Sequence, residues 1–69
     1  MIRNRLDANF NAWDCTAKAI TATDEACRTF QVLERNSKSA KLTQEALHKM
    51  KEALQLLADA EQEIRRELA

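Results

Sequence analysis

Between Thr43 and Leu68 the apolar residues fall at helical spacing without a break. Leu47, Met50, Leu54, Leu57, Ile64 and Leu68 form one stripe, and Ala46, Ala53 and Ala60 widen it. His48, Glu52, Gln55, Asp59, Gln62 and Arg66 take the opposite face, which is a solvent face. A helix this one-sided is marginal alone in water and needs a partner surface.

The first half of the chain carries two apolar stripes. Leu6, Phe10, Trp13, Ala17, Ile20 and Cys27 make a bulky one, which drifts after Cys27 through Phe30 to Leu33. Ala8, Ala12, Cys15, Ala19, Ala22 and Ala26 keep a strict four-three alternation and make a small one. At about 100° per residue the two lie roughly 160° apart. Asp7, Asn11, Asp14, Lys18 and Glu25 separate them on one flank, and Arg5, Asn9, Thr16 and Thr23 on the other. Such a helix suits the middle of a bundle, and the small stripe admits a close second backbone. Alanine is also simply a good helix former, but propensity alone would scatter the alanines instead of aligning them.

Asn4 is the expected first cap, with Asp7 three residues on. The stretch ITATDE, from Ile20 to Glu25, is the weakest helix former, with a resemblance to a capping box at Thr21 to Asp24. A break there would give three helices; the heptad from Ile20 to Cys27 and the lack of any turn residue favour one continuous helix. The loop signal is Asn36 to Ser39, with Asn36 suited to a left-handed helix end and Ser37, Ser39 or Thr43 to the next cap. The pattern predicts an all-α chain: helix one over about 4–35, a loop over about 36–40 and helix two over about 41–68, an antiparallel hairpin forming the single domain 1–69. Two helices cannot cover both stripes of helix one, so two hairpins are expected to pair into a homodimeric four-helix bundle.

Composition sharpens this. Gly 0 and Pro 0 argue for long helices over hairpin-rich sheet folds and exclude glycine-built phosphate loops. The 11 Lys and Arg balance 11 Asp and Glu, so no general footprint for nucleic acid appears. No apolar run reaches the ~18 residues of a membrane span, and the N-terminus lacks a signal-peptide core; a cytoplasmic protein without membrane partners is expected. Cys15 and Cys27, ~18 Å apart along one helix, are beyond disulfide reach and are expected as small buried apolar side chains. With the single His48 they match no zinc spacing, and no catalytic constellation, metal site or cofactor site is expected.

The segment Arg35 to Lys51 holds Arg35, Lys38, Lys41, Lys49 and Lys51 against Glu45, a basic hairpin tip. Phe10, Trp13 and Phe30 are the aromatic residues. Aromatics at helical spacing are usually core, yet Trp and Phe are also enriched at binding hot spots. The candidates for dimer or partner contact are Phe10, Trp13, Ile20, Phe30, Ala12, Cys15 and Ala19, with Arg35, Lys38 and Lys41 as the basic tip.

In length, lack of Gly and Pro and hairpin pattern, the chain resembles the small helical inhibitors that phages encode against host proteins, of the quorum-sensing anti-activator type. The resemblance implies a non-enzymatic protein that sterically blocks a DNA-binding transcription regulator, and carries over no residue roles. The alternatives are a type III secretion co-chaperone acting on a client protein, or a structural or nucleic-acid-binding coiled-coil module.

Overall fold

The computed structural model describes residues 4–68 as two antiparallel helices, α1 (Arg5–Leu33) and α2 (Lys38–Leu68). The hairpin expected from the apolar pattern is present. It is one layer of helices, with extents of 50 × 21 × 12 Å.

The helix ends follow from local hydrogen bonding. Asn4 is extended (φ −156°, ψ −178°), and its side chain accepts the Asp7 N–H at 2.9 Å, as expected for a cap. No break occurs at the ITATDE stretch. Thr21 donates its hydroxyl to the Ala17 carbonyl at 3.3 Å, and Thr29 beyond the stretch does the same to the Glu25 carbonyl at 3.1 Å, so these β-branched residues are satisfied inside a continuous α1.

The turn differs from the sequence expectation. α1 ends at Leu33, with the Glu34 N–H reaching back to the Phe30 carbonyl at 2.8 Å. Ser37, and not Ser39 or Thr43, caps α2: its Oγ accepts the Ala40 N–H at 3.0 Å while its own N–H bonds the Glu34 carbonyl. The loop is therefore 34–37. A cap at Ser37 needs non-helical backbone just before it, which removes two residues from helix one and adds three to helix two. Asn36 does not enter the left-handed region; no described residue has a positive φ. Thr43 lies within α2 and donates to the Ser39 carbonyl at 2.8 Å.

The seam between the helices keeps heptad spacing along both. α2 supplies Ala40, Leu47, Met50, Leu54, Leu57 and Ile64, much as its stripe implied. On α1 the sequence expectation is corrected. Leu6, Ile20 and Cys27 face α2, but between them come Asn9, Thr16 and Thr23, which had read as a polar flank, followed by Phe30. The competing positions, a residue later each time, are Phe10, Ala17, Asp24 and Gln31. Facing Asp24 into the seam would bury a carboxylate, whereas threonine hydroxyls find partners close by. Thr16 donates to the Ala12 carbonyl at 2.8 Å and Thr23 to the Met50 sulfur at 3.4 Å. Asn9 donates through Nδ2 across the seam to the Leu57 carbonyl at 3.0 Å.

Only Cys27, Ala40 and Leu47 are buried among the described residues, at 6%, 7% and 4% exposure, and no large side chain is fully enclosed. Among the described residues the hairpin has a seam and no interior.

Candidate interaction faces

Choosing Asn9, Thr16 and Thr23 for the seam sets which residues of α1 remain outside. Phe10 lies on one flank, 64% exposed, with Trp13 beside it at the seam edge, 37% exposed. Asp14 shares this flank and draws the Lys18 ammonium by a 2.9 Å ion pair. That hydrogen bond, with the Asp14 charge, raises the Lys18 pKa above its ordinary value. The neighbouring Asp24 binds Arg28 at 3.0 Å. The flank therefore joins two accessible aromatics to paired charges, the mixture found at protein-binding hot spots.

The small stripe lies on the other side. Ala8, Cys15, Ala19 and Ala22 are exposed, and Ala12 and Ala26 half-covered. Both cysteines are free; Cys27 is buried as expected, but Cys15 is exposed, because its stripe points away from α2. On α2, Leu42, Ala53, Leu56 and Ala60 are exposed too. The apolar spacing groups Ala53 and Ala60 with the α2 core stripe, but the seam takes only the two heptad positions of Leu47 with Leu54 and of Met50 with Leu57, which leaves them outside it.

Of the sequence candidates, Ile20 and Phe30 are half-buried on the seam side of α1. Phe10, Ala19 and Cys15 are surface residues, and Trp13 and Ala12 stand at edges of the seam. Leu42 and Leu56, 55% and 68% exposed, were not among the candidates. Their spacing with Ala46, Ala53 and Ala60 was readable in the sequence, though masked by Lys49, which interrupts the row.

At the tip, Arg35, Lys38 and Lys41 are exposed and form no ion pair among the described residues. Lys38 stands in the first turn of α2, which carries no acid. A cation there opposes the helix dipole. Val32 and Leu33 beside the tip are 84% and 75% exposed. At the open end Arg5 pairs with Glu67, and Leu6, Ile64 and Leu68 line an apolar recess of about 290 Å³ with Asn4 and Arg5. His48 is exposed, its Nε2 2.8 Å from Glu52 Oε1.

Among the described residues no group of three or more His, Cys, Asp or Glu is placed to hold a metal ion, and no helix is long and apolar enough to cross a membrane. Comparison with known protein families, curated proteins and solved structures finds no match.

Proposed function

We propose that the chain is a small non-enzymatic protein-binding module. Two hairpins pack into a homodimeric four-helix bundle, and the bundle presents the Phe10 and Trp13 flank to a folded partner. The observation that carries this is the lack of an interior among the described residues: three buried residues and a single layer of helices leave large apolar side chains in water on both sides. An apolar surface of that extent on so small a chain fits interaction. The resemblance to phage inhibitors supplies the mode of action, steric cover of a regulator's DNA-binding or dimerisation surface.

The test is affinity capture from the native host followed by mass spectrometry, run beside a Phe10→Glu variant. A folded partner retained by the natural chain and lost with the variant supports the reading. Equal capture by both, or recovery of unfolded clients alone, overturns it; the second outcome favours a chaperone.

A further inference from the structure

The exposed rows of the two helices share one side of the hairpin. On α1 the row through Ala12, Cys15 and Ala19 is centred about 100° round the axis from the seam. On α2 the row through Leu42, Ala53 and Leu56 is displaced by about as much, in the same rotational sense. In facing antiparallel helices, rotations of the same sense lead to the same side. Arg5 and Glu67, displaced in that sense too, form an ion pair there.

We propose that this side is where a second copy of the chain docks, antiparallel, with the tip of each hairpin over the open end of the other. The proposal rests on the homodimer reading and assigns its surface and direction, leaving Phe10 and Trp13 outside the contact.

Area supports a partner of this size. A compact 7.9 kDa chain exposes about 4,400 Å². This chain exposes 5486 Å². The excess of about 1,100 Å² exceeds the ~800 Å² that each partner contributes to a standard interface.

Symmetry sets the direction. The α1 row, from Ala8 to Ala26, is centred at Ala17, and the α2 row, from Lys38 to Glu67, near Ala53. The pairs Arg5 with Glu67 and Thr23 with Met50 show which residues are level across the hairpin. By that pairing Ala17 and Ala53 stand within about one helical turn of the same height. One two-fold axis perpendicular to the helices therefore serves both rows. It sets Ala12 against the second copy's Ala22 and Ala53 against its own twin, small side chains that let the backbones approach.

Charge favours the same direction. The α2 row begins at Lys38 and ends at Glu67, so the antiparallel arrangement brings these two together twice per dimer. The second copy's Glu67 would supply the carboxylate that the first turn of α2 lacks. A parallel arrangement would instead bring two basic tips together.

Sedimentation and oxidation test this. The natural chain at about 50 µM is expected to sediment as a dimer, and so is Phe10→Glu, whereas Leu56→Glu and Ala19→Glu raise the dissociation constant at least tenfold. Both altered residues are exposed and outside the seam, so unchanged helicity by circular dichroism confirms folding. In a Cys15→Ser chain, Ala53→Cys forms an interchain disulfide on oxidation and Phe10→Cys does not. A mixture of Lys38→Glu and Glu67→Lys chains yields the mixed dimer in preference, by about threefold or more, since each restored pair is worth up to ~1 kcal/mol. A monomeric natural chain overturns the homodimer reading itself. A natural dimer that Phe10→Glu dissociates and Leu56→Glu does not overturns this surface alone. Failure of Ala53→Cys to cross-link, or mixing without preference, overturns the antiparallel direction.

Discussion

The two helices contribute unequally to one seam. α2 presents a nearly unbroken aliphatic row, with Leu47 its most enclosed member. α1 presents alternating layers in which Leu6, Ile20 and Cys27 are separated by Asn9, Thr16 and Thr23. Burial on α2 supplies the adhesion, at roughly 25 cal/mol for each Å² of apolar area removed from water. The polar layers of α1 add little adhesion, and what they add is selectivity. A single polar residue at a seam position fixes register at a cost in stability, and Asn9 reaches one particular carbonyl, that of Leu57. The helix with the stronger pattern holds the pair together, and the weaker one determines how the pair is aligned.

Substitutions that exchange these roles test the contrast. The largest effect is expected from Leu47→Ala, which empties the most buried aliphatic site and should lower unfolding free energy by about 2–4 kcal/mol in urea titrations. Ser37→Ala removes the cap that starts α2 and should cost about 1 kcal/mol by the same measurement. Asn9→Leu should act in the opposite direction, raising stability by about 1 kcal/mol while broadening the distribution of species in sedimentation, because it trades alignment for adhesion. A loss of stability in Asn9→Leu would show that the Asn9 bond contributes to holding the helices together. The smallest effect is expected from Thr16→Val, within about 0.5 kcal/mol, since that hydroxyl bonds only its own helix.

The same inequality decided what the sequence disclosed. Two helices, their antiparallel pairing, the Asn4 cap and the continuity of α1 through Thr21 to Asp24 followed from spacing and from the lack of Gly and Pro. The α1 seam did not, because residue type and position disagree there. Asn9, Thr16 and Thr23 look like surface residues, and Phe10 looks like core. What settles the choice is Asp24 and Gln31, two and three heptads downstream of Phe10, which spoil the alternative register. The turn was placed late because Asn36 and the serines all suit a turn, and only the Ser37 to Ala40 hydrogen bond selects among them. Leu42 and Leu56 do not read as one surface row, because a row carrying Lys49 does not look apolar until its neighbours on α1 are set beside it.

The four-residue turn and the absence of proline have a kinetic consequence. Prolyl isomerisation, the usual source of refolding phases lasting tens of seconds, has no site in this chain. Contacts spread outward from the turn, so the hairpin should close within a single fast phase. Any slower phase whose rate falls on dilution then reports two chains meeting, and a stopped-flow trace at several concentrations separates the folding of one copy from its association with the next.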